Sequence, residues 1–425
     1  MGTHENCDGK PTRREFIRET GLAAASVAVG AITARRAYGA NDRIGVGVIG
    51  CGGRGTHHLG VLERLKTNGV NVDTVAVCDT YRPRLQRAAD KYKAKAYMDH
   101  RELLADPNVD LVCIATPDHH HGYAAIDAVR AGKDVYCEKP VTHWRQFELT
   151  KKLCGEVQKS GRVFQLGSQG MSDNAWRQAR KLIEDGAIGK PIHAECGYFR
   201  VGDWGERGMP IDDPNVQPGP DLDWAAFLGD SPKRPFEVSR YFRWRMYEDY
   251  AGGPCTDLFP HSLTPVVYML SVTMPSTVVA TGGKFRYEER EVPDTFNMLI
   301  DYPENITIAL LGTQGNAYPG TGFRGAGGRV PVIRGWERTL TLQGDNIAVM
   351  AEGGSDKPEK LIPIEYGENI DNHWQNLFSC CRTREKTHSP MDLAFHVQTA
   401  LQMGYLSWRD GKTARFNSTK QKIRL

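Results

Sequence analysis

Two short stretches carry residue types that could do chemistry together. Lys139 lies in Glu138-Lys139-Pro140, directly after the apolar run Val135–Cys137. Asp257 and His261 lie four apart in Gly252-Gly253-Pro254-Cys255-Thr256-Asp257-Leu258-Phe259-Pro260-His261. A lysine at the carboxyl end of a sheet strand sits where open α/β sheets bind their ligands. An aspartate and a histidine at i and i+4 share one helix face, within reach of each other or of one ligand. That is easiest if a helix begins near Pro260, with Asp257 just before it. Imidazole titrates near neutrality, which suits acid/base work. The same residues could instead form a buried Asp–His pair that braces a loop, with Lys139 on the surface.

A second constellation lies upstream. Gly50-Cys51-Gly52-Gly53-Arg54-Gly55 matches G-x-G-x-x-G, directly after a strand-like run and at the start of a helical one. The first glycine permits a tight turn, the second lets backbone approach a pyrophosphate, and the third allows close helix–strand packing. The helix N-terminus then offers N–H groups and partial positive charge to phosphates. Gly50, Gly52, Gly53, Arg54 and Gly55 are therefore candidate dinucleotide residues. Asp79 ends the next strand, at the distance expected of an acid that accepts from the adenosine ribose hydroxyls. Such an acid repels a 2′-phosphate and favours NAD over NADP; Arg82 is close enough to soften that preference. Asp79 could otherwise be the N-cap of the following helix.

The elements that must position these residues alternate. Strands are expected at Ile44–Ile49, Val72–Cys78, Leu111–Ala115 and Val135–Cys137. Helices are expected through about Lys66 and over Arg82–Tyr92, Tyr123–Ala131 and Gln146–Ser160. Such alternation argues for a parallel sheet with crossover helices. After Gly167 the runs Ile192–Tyr198, Ser276–Ala280, Thr295–Ile300, Thr307–Leu311 and Thr339–Leu342 are β-rich, without regular helices between them. They predict a largely antiparallel sheet in a second domain. Val201–Glu237, dense in Pro, Gly, Asp and Trp, reads as a long ordered loop, and Pro319–Arg329 as a second loop. Helices over about Asn372–Cys381 and Asp392–Trp408 close the chain.

The order of these motifs resembles the glucose-fructose oxidoreductase / inositol dehydrogenase / rhizopine-catabolism family. Gly186-Ala187-Ile188-Gly189, Pro293-Asp294-Thr295 and His373…Asn376…Cys381-Arg382 extend the likeness over nearly the whole chain beyond its N-terminal segment. The resemblance implies an α/β fold: an N-terminal Rossmann doubly wound parallel sheet, then an α+β domain with a large, mostly antiparallel open sheet. The corresponding boundaries are 40–166 and 167–425, with the C-terminal helices packing back on the Rossmann domain. It also implies hydride transfer between a sugar, glycoside or cyclitol carbon and NAD. His261 would be the general acid/base, Asp257 would orient it or bind a substrate hydroxyl, and Lys139 would hydrogen-bond the reacting oxygen. Thr116, Pro117 and His121 would lie beside the nicotinamide, with Glu138 and Lys139 bordering the cofactor. The family often reads Asp-x-Gly-x-His-x-x-Asp; here Phe259 stands for the glycine and Thr264 for the last acid, which bears on the substrate side more than on the chemistry.

Other candidates have plainer alternatives. Asp118-His119-His120-His121 suggests a metal, but consecutive side chains point in different directions on any regular element, and no metal site is expected. Asp118 is expected to cap the next helix. In Phe242-Arg243-Trp244-Arg245, Trp244 could stack on a sugar ring and Arg243 donate to its hydroxyls, or the segment could hold an ordinary cation–π pair. Gln169 and Tyr198 are further candidates to line a substrate site. The ten cysteines contain no Cys-x-x-Cys pair. Cys78, Cys113 and Cys137 end apolar runs and read as buried free thiols, and the adjacent Cys380-Cys381 rarely satisfies disulfide geometry.

The 425 residues suffice for two domains, and a net charge of +3 gives no push toward nucleic acid. Thr12-Arg13-Arg14-Glu15-Phe16-Ile17-Arg18, the mildly apolar Gly21–Ala34 and then Ala37-Tyr38-Gly39 have the layout of a targeting segment over 1–39. The arginine pair resembles a twin-arginine signal, which implies export of folded protein to the periplasm or beyond; the alternative is a frayed amphipathic helix. No stretch of about 18 or more apolar residues follows, so no membrane span is expected after signal removal. Free dinucleotide is expected to be scarce outside the cytoplasm. Export therefore suggests a cofactor carried along and a redox-neutral net reaction, either sugar-to-sugar hydride exchange or glycoside cleavage through transient oxidation. The other readings are a dehydrogenase with diffusible cofactor and a catalytically silent sugar or NAD sensor. By the resemblance the chain is expected to form a dimer or tetramer.

Overall fold

In the computed structural model, residues 42–202, 208–325, 328–353 and 357–425 are described. The targeting segment expected over 1–39 lies outside them. Strands β1 (Ile44–Ile49), β2 (Val72–Cys78), β3 (Lys95–Tyr97), β4 (Leu111–Ile114), β5 (Asp134–Cys137) and β6 (Phe164–Leu166) form one parallel sheet. Their order is β3-β2-β1-β4-β5-β6, the doubly wound arrangement with its switch point between β1 and β4. Every residue of β1, β4 and β5 is buried, as a parallel sheet covered on both faces requires. The helix expected from Tyr123 begins five residues earlier, at Asp118. Pro117, fixed at φ −59°, precedes its first turn.

The second sheet contains β7 (Pro191–Val201), β8 (Thr277–Gly283), β9 (Thr295–Tyr302), β10 (Ile306–Thr313) and β11 (Gly315–Asn316). It continues with β12 (Arg329–Gly335), β13 (Arg338–Gln343), β14 (Asn346–Ala351), β15 (Pro358–Pro363), β16 (Ala414–Asn417) and β17 (Lys422–Arg424). The order is β15-β14-β13-β12-β7-β10-β9-β8-β16-β17, with β11 beside β7. Only β7 and β10 pair in parallel; the other pairs are antiparallel. Helix Ala175–Glu184 precedes these strands, and Phe259–Leu270, between β7 and β8, corrects the expectation of no regular helices between them. The first alternates arginine and lysine with buried Ala175, Trp176 and Ala179, and the second contains Pro265, so neither advertises itself by composition.

Helices Ile370–Thr383 and Met391–Asp410 send side chains into the cores around the first sheet. Trp374, Leu377 and Phe378 pack with Ile44, Val48 and Tyr136, and Met391 and Phe395 with Phe147 and Leu153. Trp374 is fully buried and stacks on Tyr136, with ring centroids 4.5 Å apart. No helix among the described residues is long and apolar enough to cross a membrane. Trp374→Ala should remove the stacking ring and leave a cavity, costing about 3–5 kcal/mol in denaturant unfolding. A loss under about 1 kcal/mol would show that this helix is not integral to the core.

Candidate active site

The fingerprint has the geometry its glycines suggested. Gly50 adopts φ +92°, in the left-handed region that favours glycine. A Cβ on Gly55 would lie 1.7 Å from the Gly50 carbonyl oxygen, so strand and helix approach as closely as they do only without one. Gly52 precedes helix Gly53–Thr67 with no side-chain cap, which leaves first-turn N–H groups available. A Cβ on Gly53 would meet nothing within 4 Å, so this is an open cradle against backbone donors. These residues fit a dinucleotide pyrophosphate.

Asp79 closes the turn from below. Its Oδ2 accepts from the Cys51 N–H at 2.7 Å and its Oδ1 from the Tyr81 N–H at 2.8 Å. It is not the N-cap of helix Arg82–Tyr92; Tyr81 is, without a side-chain bond. Burial raises the Asp79 carboxyl above its ordinary range, opposed by Arg84 and by the two N–H donors. Arg82 turns outward, donating to Asp221 Oδ1 at 2.9 Å and to the Pro220 carbonyl at 3.0 Å. Arg84 is the cation beside Asp79. It forks onto Asp212 at 2.8 and 2.9 Å, lies 5.0 Å from the Phe242 ring centroid, and would be 3.3 Å from a Cβ on Gly52. Nothing distinguishes Arg84 from Arg82 in the sequence; helix phase decides which faces the loop.

Lys139 leaves the end of β5 and reaches Asp257. Its Nζ donates to Asp257 Oδ1 at 2.8 Å and also to the Asp257 carbonyl. Asp257 ends the short turn Pro254–Asp257, and helix Phe259–Leu270 follows with Pro260 in its first turn, as the spacing predicted. Two further cations meet the same carboxylate: Arg245 Nε at 3.4 Å and Arg200 Nη2 at 3.7 Å. Burial favours the neutral acid, but Lys139, Arg245 and Arg200 outweigh it and hold Asp257 well below the usual carboxylate range. His261 is half-buried, and its Nδ1 is sealed from solvent without a hydrogen-bond partner. Burial and then the Lys139 charge push its pKa down to about 3, so the ring is neutral in the free site.

A second network lies beneath. Glu138 Oε1 accepts from Arg54 Nε at 2.6 Å and from His58 Nε2 at 2.8 Å, and Arg54 Nη2 donates to Gln169 Oε1 at 3.3 Å. Trp374 Nε1 donates to His58 Nδ1 at 3.2 Å, which leaves His58 Nε2 as the protonated nitrogen. Burial opposes the Glu138 charge, yet Arg54 and His58 keep the carboxyl well below its ordinary value.

The structure therefore brings together Arg54, Glu138, Lys139, Gln169, Asp257 and His261. Tyr198 stands near, its ring centroid 6.3 Å from that of His261. His121 Nδ1 meets the Pro140 carbonyl at 2.6 Å and Nε2 the Thr116 carbonyl at 2.8 Å. Burial disfavours the charged ring, so it can donate to only one of the two. Thr116 and Pro117 lie between β4 and the Asp118 helix, at the switch point. Arg243 is directed elsewhere, donating to the Met209 carbonyl at 3.1 Å. Trp244 is buried among Tyr241, Phe242 and Tyr250 and serves as a platform for Arg245, whose guanidinium carbon sits 4.2 Å from its ring centroid. Sequence reasoning missed Arg200, near the end of β7, and Arg245, which follows the long loop; only the tertiary fold brings them to Asp257. Asp118 is not a cap; it lies inside the helix and accepts from Thr256 Oγ1 at 3.2 Å. Burial pushes its pKa up to about 7, with Arg245 opposing and Asp257 reinforcing the rise. His119 and His120 both donate to the Phe227 carbonyl, at 2.8 and 2.6 Å. Among the described residues no group of three or more His, Cys, Asp and Glu could hold a metal ion. The nine cysteines found there are free and buried.

Two family models match. One, an oxidoreductase family with an NAD-binding Rossmann fold, covers residues 44–168; the other, the C-terminal α/β domain of the same family, covers 172–329. The chain belongs to the GFO/IDH/MocA oxidoreductase family. Inositol 2-dehydrogenase of Salmonella paratyphi B is 36% identical over 162 residues, 36% of this chain and 46% of that protein. The enzyme of the same name from Burkholderia cenocepacia is 31% identical over 217 residues, 49% of this chain and 56% of that protein. The chain thus spans about half the length of the curated relatives it matches. The fold is shared with the WlbA dehydrogenase of Bordetella pertussis, solved with NADH and UDP-GlcNAcA, at a TM-score of 0.64 and 20% identity over 88% of this chain and 99% of that one.

Two outcomes follow. His58, His261 and His373 have folded pKa values of about 4, 3 and 3, all depressed first by burial. As pH falls below about 6.5 the unfolded chain takes up protons these rings refuse, so the stability present above that pH is lost on acidification. Tm should fall between about pH 7 and pH 4.5; a constant or rising Tm would contradict the buried neutral histidines. Separately, Lys139→Met should leave NAD(H) bound, measured by fluorescence titration, while kcat/KM drops about 10²–10⁴-fold.

Proposed function

We propose that the chain is an NAD-dependent oxidoreductase acting on a CH–OH group of a sugar, glycoside or cyclitol. The reading is carried by the Lys139 ammonium, fixed on Asp257 beside a neutral His261 at the open end of a dinucleotide-binding sheet. NAD, when bound, supplies the hydride acceptor. Lys139 hydrogen-bonds the reacting oxygen and stabilises its negative charge as the proton leaves. His261 takes that proton, and Asp257 keeps Lys139 in place. The inositol dehydrogenases among the curated relatives support a polyol substrate. A pure binder has no need of an acid/base group, which speaks against a silent sensor.

We further propose export by the twin-arginine route with cofactor already bound, and a redox-neutral net reaction. Buried free thiols suit a chain that folds in a reducing compartment before export. The long loop supports cofactor retention, because it straps across the end of β2. Asp223 N–H donates to the Thr80 carbonyl at 2.9 Å, Arg82 N–H to the Asp221 carbonyl at 2.8 Å, and Arg84 forks onto Asp212. A homo-oligomer is proposed as well, on the exposed apolar pair Val279 and Leu299, neighbours on β8 and β9. Protein purified without added cofactor should carry stoichiometric NAD(H) through dialysis, read by absorbance and mass analysis. Cofactor-free protein that exchanges NAD freely would favour an ordinary dehydrogenase and count against the closed cycle.

A further inference from the structure

Asp257 is one carboxylate facing three cations, Lys139, Arg245 and Arg200, at 2.8, 3.4 and 3.7 Å. Lys139 and Arg245 alone already outnumber it. The second carboxyl facing Arg245 is Asp118, which burial pushes up to about 7 and which is therefore only partly ionised near neutrality. Glu138 is committed to Arg54 and His58, and His261 is neutral. The substrate side thus carries excess positive charge among the described residues. A desolvated cation is costly unless an anion pairs with it.

Arg245 is built to receive one. Its plane rests on Trp244, a ring only 8% exposed. Its side chain is 24% exposed, so the fork is neither sealed nor loose. Among the described residues, apart from the 3.4 Å contact to Asp257, its one hydrogen-bond partner is the Met209 thioether, 3.7 Å from Nη1. A thioether is a weak acceptor, whereas a held guanidinium fork matches an oxyanion bidentately. The pyrophosphate end has its own arginine, because Arg84 borders Gly52.

We propose that Arg245 binds an oxyanion substituent, a carboxylate or a phosphate, on the substrate, so that the sugar oxidised here is an acidic one. The inference rests on the reading of this site as a sugar oxidoreductase and narrows its substrate class. The bound anion pairs with Arg245 and leaves Asp257 to Lys139, which keeps the ammonium directed at the reacting oxygen.

The test is calorimetric titration of the NADH-loaded protein with glucuronate, glucose 6-phosphate and glucose, in the wild type and in Arg245→Gln. At least one acid should bind about tenfold or more tighter than glucose, and the preference should shrink to within about threefold in the variant. The order of the two acids tells carboxylate from phosphate. Reading the ratio separates loss of anion recognition from a general loss of affinity. If the variant does not fold, raising salt must erode the preference in the wild type. Glucose bound as well as both acids, no detectable binding of either acid, or a preference unmoved by Arg245→Gln and by salt would overturn the proposal. Reduction of NAD-loaded protein by the same sugars is read separately. Arg245-dependent acid binding without reduction would sink the oxidoreductase reading alone, and reduction without acid preference would sink the anion inference alone.

Discussion

Lys139 and Asp257 come from different sheets' surroundings, one from the end of β5 and the other from the turn before helix Phe259–Leu270, and their ion pair joins the two halves of the site. A partly buried pair gains stability when its geometry is good and its remaining donors and acceptors are met. Here Lys139 meets both a carboxylate oxygen and the carbonyl of the same residue, so side chain and backbone are fixed together. The consequence reaches His261. The positive charge that Asp257 retains at the site adds to burial and keeps the ring unprotonated in the free site.

The Arg54–Glu138–His58–Trp374 chain does for the fold what the first pair does for the chemistry. It runs from the fingerprint helix through the residue before Lys139 and into the C-terminal helix Ile370–Thr383. Glu138 Oε1 is met by two donors, and the His58 tautomer is set by Trp374, so the links of this chain reinforce one another. Glu138 thereby has two positioning duties: it holds Arg54 at the start of the dinucleotide helix and carries the backbone that aims Lys139. A glycine at 167 is part of this arrangement, since a Cβ there would lie 2.8 Å from the Glu138 carboxyl.

Local signals in the sequence reached a long way. Strands β1 and β2 and helix Arg82–Tyr92 have the expected bounds because buried apolar runs and turn residues delimit them. The fingerprint, Lys139, Asp257 and His261 were legible because their chemistry is tied to short, ordered motifs. Short β3 and β6 were not, since three residues carry too little periodicity. Arg245 and Arg200 escaped for another reason: one follows a long loop that settles over the aromatic cluster of Tyr81, Trp224 and Phe242, the other stands near the end of β7, and only the folded chain brings both to Asp257. Asp118 looked like a cap because of its place before a helix, but Pro117 takes the entry position and Thr256 takes the carboxylate.

The claim that this assembly moves hydride between a sugar carbon and NAD is tested most directly by isotope transfer. NAD-loaded protein would be mixed with sugars deuterated on their ring carbons, and the cofactor then released and weighed by mass spectrometry. Deuterium on the nicotinamide, lost in His261→Gln protein that still binds NAD, is the result predicted. Cofactor trapped within the first turnover, before hydride can be returned, that stays unlabelled although sugar is bound would contradict the account.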